Sequence, residues 1–246
     1  MTDDTAGEPI TEADEERPVY RQSRFQPLPG ACEILLVRHG ESAPYVDGIA
    51  HPLVDGQGDP PLDPHGHAQA ERVAERLIAT GEPISAIYVT TMQRTRQTAA
   101  PFAERIGLEP TVIADLREVH LGDWEGGEFR KKMAEGDPRA LQVATEERWD
   151  VIPGGETTEA FATRVRRGIE RIAAAHPDQV VAAFVHGGVI GQAVSLATGA
   201  RGFSFVGADN ASITHLVVMP DRWIVRCFND TSHLSPTFSS AAEPLT

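Results

Sequence analysis

The sequence predicts a three-layer α/β/α sandwich built on a mostly parallel central sheet, and three observations carry that expectation. Two unbroken apolar runs, Ile34 to Val37 and Val180 to Val185, have the character of strands buried on both faces. Helical periodicity fills the intervals between strand-like segments, which is the layout of βαβ units. Both apolar runs end in a His-Gly pair, as Arg38-His39-Gly40 and His186-Gly187-Gly188. Ligands of open α/β sheets bind beyond the carboxyl ends of the strands, so this topology would bring two imidazoles and a guanidinium to one edge.

The elements follow in order. Residues 1–29 are rich in Asp, Glu, Thr and Pro without apolar period and read as an acidic tail, disordered or loosely laid on the surface. Residues 30–236 form the folded domain, and 237–246 a second tail. A strand at 33–37 is followed by a long Pro- and Gly-rich loop, 43–61, on the reacting side, where long loops are often functional. Asp63-Pro64 opens a helix as N-cap and first-turn proline; Val73, Leu77 and Ile78 give it one apolar face, and Gly81 ends it. Ile84 to Val89 is the next strand, leading directly into a helix at Arg94 that Pro101 should kink or interrupt before Gly107 closes it. Val112 and Ile113 make a brief strand before the loop Glu118 to Gly126, and 127–150 reads as a mixed-charge helical excursion. A helix with Phe161, Val165, Ile169 and Ile172 on one face runs to about Ala175, ahead of Pro177. The second His-Gly strand, a helix at about 189–198 stopped by Gly199, and strands near 212–218 and 223–228 complete the chain.

Composition narrows the function classes. A formal charge of −14 opposes nonspecific nucleic-acid binding, which depends on neutralising phosphates, yet a local Arg and His cluster can still form a positive cleft. No apolar run reaches the roughly 18 residues of a membrane span, and the N-terminus lacks a basic-then-apolar leader, so a cytoplasmic protein with no membrane partner is expected. Cys32 and Cys227 make neither a disulfide framework nor a metal cluster; beside strand-like runs, both read as inert buried thiols. Oligomeric state is not encoded legibly, and a homodimer, the common soluble assembly, is open to it.

If Arg38, His39, Arg94 and His186 met, they would suit a phosphoryl group. Such a group carries about −1.5 to −2 charges near neutral pH and reacts through a loose state with charge spread over three oxygens. Guanidinium forks match phosphate oxygens two at a time, and a neutral imidazole held through its other nitrogen can attack phosphorus in line. Leaving-group protonation needs an acid, for which Glu118 is the best-placed carboxylate.

Arg38-His39-Gly40-Glu41-Ser42 resembles the signature of the histidine phosphatase superfamily, the phosphoglycerate mutase-like fold. The resemblance extends, in the family's order, over Pro61-Leu62-Asp63 with Gly66, Gln69 and Ala70; Arg94 with Gln97, Thr98 and Ala99; and Glu118 with Gly122, Trp124, Glu125 and Gly126. Pro153-Gly154-Gly155-Glu156, Val185-His186-Gly187-Gly188, Asn210-Ala211-Ser212 and Asn229 to Leu234 continue it, for a span of roughly 33–234. The resemblance implies that His39 becomes phosphohistidine, that Arg38, Arg94 and His186 form the phosphate pocket, and that Glu118 donates the proton. Ser42 and Gly187 are expected as further substrate contacts. It implies no cofactor and no metal, and as partner a small phosphorylated substrate. One departure is Tyr45, where the family often carries a phosphate-contacting Asn, so that this contact is either lost or supplied by another loop group.

Neighbouring residues receive plainer readings. Arg96 falls on a different helix face from Arg94 and should be solvated. His120 and Trp124 should pack, His65 and His67 should sit on the surface, and Glu41 should be structural. Arg130-Lys131-Lys132 should be a solvated helix face rather than a second anion site. The leading expectation is a phosphomonoester hydrolase, since the loop at Glu118 resembles the phosphatase branch, whereas the mutase branch usually reads Asn-Glu-Arg-His-Tyr-Gly there. A phosphoglycerate-type mutase and a non-catalytic phospholigand-binding module are the alternatives.

Overall fold

The computed structural model describes residues 20–235. Among these, the central sheet has six strands: β1 (Cys32–Arg38), β4 (Ile84–Val89), β5 (Thr111–Val112), β6 (Val180–Val185), β7 (Ile213–Val218) and β8 (Trp223–Asp230). They lie in the order β5-β4-β6-β1-β7-β8. The strands β5, β4, β6 and β1 run parallel, β7 is antiparallel to β1 and β8 antiparallel to β7, so the sheet is mixed but mostly parallel.

Each residue of β1 chooses a layer by the two-residue period of a strand. Leu35 and Val37 pack with Val73, Leu77 and Phe102 of α1 (Pro64–Ala79) and α2 (Gln93–Ile106). Ile34 and Leu36 pack on the opposite face with Phe161, Val165 and Ile169 of α5 (Thr158–Ala175) and Val189 and Ile190 of α6 (Gly187–Thr198). That is the expected sandwich. Each such fully buried Leu, Ile or Phe contributes about 1.5–3 kcal/mol, so a charge at Leu36 would be among the most damaging single changes. The excursion after the Glu118 loop consists of α3 (Glu128–Glu135) and α4 (Pro138–Glu146), which bury a separate small cluster around Trp124, Ala140, Val143 and Ile152.

Several expectations are corrected. Within 43–61 a two-stranded ribbon forms, β2 (Leu53–Val54) with β3 (Gln57–Gly58), because Asp55 and Gly56 both take positive φ, 49° and 82°, the geometry of a tight hairpin turn. Helix α2 is not interrupted at Pro101: one lost backbone bond is outweighed by the burial of Thr98, Ala99, Phe102 and Ala103 around it. Cys227 is exposed, because it lies on the edge strand β8, whereas Cys32 is buried and its thiol is pushed up to about 12, chiefly by burial. Helix α6 begins at Gly187, immediately after the strand, two residues earlier than its periodicity suggests. Residues 20–29 are exposed and carry no helix or strand; the rest of the acidic tail and residues 236–246 lie outside the described residues. No helix among the described residues is long and apolar enough to cross a membrane.

Candidate active site

The register of the two central strands places the imidazoles. Arg38 pairs with Val185, and the amide of His39 donates to the carbonyl of Val185 at 3.0 Å, so His39 and His186 leave the sheet abreast. Their ring centroids are 5.2 Å apart. The main chain of His39 is held on several sides: its carbonyl accepts from Asn210 Nδ2 at 3.0 Å and from the Ala211 amide at 3.2 Å. The next amides, of Gly40 and Glu41, donate to Thr98 Oγ1 at 3.0 Å and Gln69 Oε1 at 2.8 Å. This turn lies against the first turn of α1. A Cβ on Gly40 would stand 2.5 Å from the carbonyl oxygen of Gly66, and one on Gly66 would overlap the carbonyl of Glu41, so both positions require glycine.

The hydrogen bonds fix a tautomer for His39. Its Nδ1 lies 2.7 Å from the Gly40 carbonyl, which can only accept, so Nδ1 carries the proton. Nε2 therefore keeps its lone pair, and Arg94 Nε donates to it at 3.3 Å. Burial and the charges of Arg94 and Arg38 hold the His39 pKa well below 6.5, which keeps the imidazole neutral and nucleophilic. His186 is depressed likewise, first by burial and then by Arg94. Its Nε2 is 3.0 Å from Thr90 Oγ1, while its Nδ1 is buried without a partner among the described residues.

Guanidinium groups surround this pair. Arg94 comes from the first turn of α2, with Nη1 donating to the Gly58 carbonyl at 3.0 Å and lying 3.7 Å from Asp59 Oδ1 as an ion pair. Burial lowers its pKa to about 10, which leaves it cationic at neutral pH. Arg38 donates to the Ala208 carbonyl, and Gly187 leaves the space that its guanidinium occupies. Arg130, from α3, reaches in from the excursion: it donates to Ser42 Oγ at 2.7 Å and to the Ala43 carbonyl at 2.7 Å. The Arg130-Lys131-Lys132 run is thus split. Lys131 pairs with Asp47 and Lys132 with Asp137 near the surface, but Arg130 lines the same cavity as His39, because α3 turns that one face inward. Tyr45 points elsewhere, its hydroxyl donating to Glu128 at 2.6 Å and its ring lying against Gly127. The cation nearest Ser42 is therefore Arg130.

Glu118 lies against the start of α6. Its carboxylate accepts from the amides of Val119 at 2.9 Å and Gly188 at 3.1 Å, and a Cβ on Gly188 would stand 2.4 Å from its Oε1. The loop carrying it is held from behind. Arg164 donates to the carbonyls of Asp115, Arg117 and Glu118 and pairs with Glu156 at 2.7 Å, and Gln57 Nε2 donates to the Glu118 carbonyl at 2.8 Å. The Pro153-Gly154-Gly155-Glu156 turn closes on the same loop, with Glu156 N donating to the His120 carbonyl at 2.8 Å.

Arg38, His39, Ser42, Arg94, Glu118 and Gly187 all line one cavity of about 260 Å³, and His186 lies beneath it in contact with His39. All seven expected site residues are thereby brought together. Arg96 is exposed, His65 is exposed and pairs with Glu41 at 2.7 Å, His67 is exposed, and Trp124 is buried in the small cluster. His120 is half-buried, with Nδ1 accepting from the Gly122 amide at 3.1 Å. Arg130, read from sequence as part of a solvated face, lines the cavity, and three further residues at or behind it escaped the sequence reading: Thr90, Arg164, and His51, whose buried Nε2 has no partner among the described residues and whose ring lines the cavity. The substrate-facing loop 43–61 carried the only signal for His51; Arg130, Thr90 and Arg164 become legible only when distant segments meet.

A profile of the Histidine phosphatase superfamily (branch 1) matches residues 34–231. The chain is 33% identical over 210 residues to Phosphoglycerate mutase-like protein 4 of Arabidopsis thaliana, covering 84% of this chain and 88% of that one. It is 32% identical over 206 residues to the Metal-independent phosphoserine phosphatase of the same plant, covering 82% and 83%. Among solved structures, a mycobacterial glucosyl-3-phosphoglycerate phosphatase superposes with a TM-score of 0.65 at 27% identity, over 82% of this chain and all of that one.

Proposed function

The chain belongs to branch 1 of the histidine phosphatase superfamily, and from that premise we propose that it hydrolyses phosphomonoesters of small metabolites through a phosphohistidine on His39. The observation that carries this reading is the His39 tautomer, a lone pair on Nε2 set at the floor of a cavity lined by three guanidinium groups. In the first step Nε2 attacks phosphorus while the phosphorus–oxygen bond to the leaving alcohol breaks and Glu118 gives that oxygen its proton. In the second, Glu118 takes a proton from water, which attacks the phosphohistidine and returns His39 to its starting state. Arg38, Arg94 and Arg130 hold the phosphoryl oxygens, with His186 Nδ1, Ser42 and the Gly187 amide as further contacts. The guanidinium groups supply the positive charge this chemistry needs, so the scheme assigns no step to a metal. Relatives described as phosphatases of phosphoserine and glucosyl-3-phosphoglycerate support small phosphorylated metabolites as the substrate class.

The test is the His39→Ala variant, which should release no phosphate and acquire no acid-labile phosphate label from substrate. Persistence of either would remove His39 from the mechanism. The same preparation assayed on 3-phosphoglycerate, with and without 2,3-bisphosphoglycerate, separates hydrolysis from mutase chemistry: isomerisation faster than phosphate release would overturn the hydrolase reading.

A further inference from the structure

The cavity has two chemically distinct halves. Its charged lining gathers at the phosphoryl end, in Arg38, Arg94, Glu118 and Arg130. The remaining carboxylate, Glu125, is committed to backbone, its oxygens accepting from the amides of Gly58 at 2.7 Å and Leu121 at 2.8 Å. Apolar lining is supplied by Phe129 and Met133 of α3, Trp149, and Phe203 and Val206 from the turn before β7. Three of these form a chain of ring contacts, with Phe129 to Trp149 centroids 6.1 Å apart and Trp149 to Phe203 4.7 Å. Phe129, Met133, Trp149 and Phe203 are only partly buried where they pack on the small cluster, although each lines the cavity.

We propose that this apolar half receives the body of the substrate, so that the favoured esters are phosphomonoesters of apolar alcohols rather than of amino acids or hydroxy acids. The inference rests on the phosphatase reading above and adds the identity of the leaving group. A phosphorylated amino acid would bring an ammonium and a carboxylate, and a glycerate a carboxylate, against a wall that offers neither a free cation nor a free anion. Burying an unpaired charge there is costly, whereas burying hydrocarbon is favourable. The volume, about 260 Å³, lies just below the roughly 300–1,000 Å³ typical of organic-ligand sites and so suits a short chain or a single ring.

The experiment measures kcat/KM for phosphate release by the full chain from ethyl, butyl and hexyl phosphate, alongside O-phosphoserine and 3-phosphoglycerate. Primary alkanols are nearly equal as leaving groups, so the alkyl series reports binding of the body. The value should rise about fourfold per methylene buried until the cavity is full, about fifteen-fold from ethyl to butyl, with both polar esters below butyl phosphate. In the Met133→Asp variant the butyl-to-ethyl ratio should fall towards one, and that ratio does not depend on the fraction of protein folded. A flat or falling alkyl series, or a preference for either polar ester over butyl phosphate, would overturn this inference alone. No release from any ester would overturn the phosphatase reading and this one with it.

Discussion

Replacing Gly188 with Ala tests the placement of the proposed acid through a group that does no chemistry itself. The new Cβ would lie 2.4 Å from Glu118 Oε1, where ordinary contact begins near 3.4 Å, so the carboxylate must retreat by about 1 Å. A side-chain end moves at small cost, and Ala is favoured over Gly within a helix by about 1 kcal/mol, so the fold should hold or gain stability. The chemistry should not. A displacement of about 1 Å can cost on the order of 100-fold in rate, within the 10²–10⁴-fold that a positioned general acid contributes. The loss should be about 100-fold for an alkyl phosphate, whose oxygen cannot depart without a proton, and under about tenfold for p-nitrophenyl phosphate, whose phenolate departs unaided. Rapid-quench measurement of phosphoenzyme formation in a single turnover, with urea titration beside it, gives both numbers. Equal losses on the two esters would show that Glu118 is not the proton donor, and no loss on either would show that its position is immaterial.

Three further outcomes are expected. Arg130→Met should weaken competitive inhibition by vanadate about 10- to 100-fold, with Arg130→Lys restoring part of it, since hydrogen bonds to a charged group are each worth about 1.5–3 kcal/mol; an unchanged inhibition constant would place Arg130 outside the phosphoryl site. Stability should depend on pH through His39 and His186, whose folded pKa values lie below the ordinary 6.5. Below pH 6.5 the unfolded chain binds protons that the folded one refuses, so stability is lost as pH falls, with a slope that steepens towards about 1.4 kcal/mol per pH unit for each imidazole and a loss of about 2 kcal/mol each between pH 7 and 5. Urea titrations between pH 7 and 5 should show that slope, and a shallower one in His39→Ala. Arg164→Met should destabilise by about 1–3 kcal/mol, because it leaves the part-buried Glu156 and three loop carbonyls without their cation, and Glu156→Met added to it should recover part of the loss in the same titration.

The parts of this protein that were legible in sequence are those whose cause is local. An apolar run without alternation reports a strand covered on both faces, and the residue after it must stand at the sheet's edge; His39 and His186 needed nothing more. Helix starts were equally plain, since Asp63 caps α1 through the Gly66 amide at 2.6 Å. What failed depends on contacts between distant segments. Arg130 sits in a run of three cations that resembles any solvated helix face, and only the packing of α3 over the loop at Ser42 turns that one side chain inward. Pro101 carries a strong local signal for breaking a helix, which burial around Phe102 overrides. Cys227 looked interior because its neighbours are apolar, but β8 is an edge strand and presents it outward. Tyr45 signalled a missing amide, yet nothing in the letters indicated that a guanidinium 85 positions later in the chain would stand beside Ser42 instead.

The small cluster around Trp124, Ala140, Val143 and Ile152 is separate from the two large ones that clamp the sheet. The backbone that seats His39 and the walls contributed by the excursion therefore belong to different packing units within one polypeptide. On the reading proposed above, changes at Phe129 or Met133 would alter which esters are accepted, whereas Arg130 on the same helix also serves the phosphoryl end; His39, at the end of β1 between β6 and β7, would keep its aim. In hydrogen exchange the helices of the excursion should accordingly open before the strands of the central sheet.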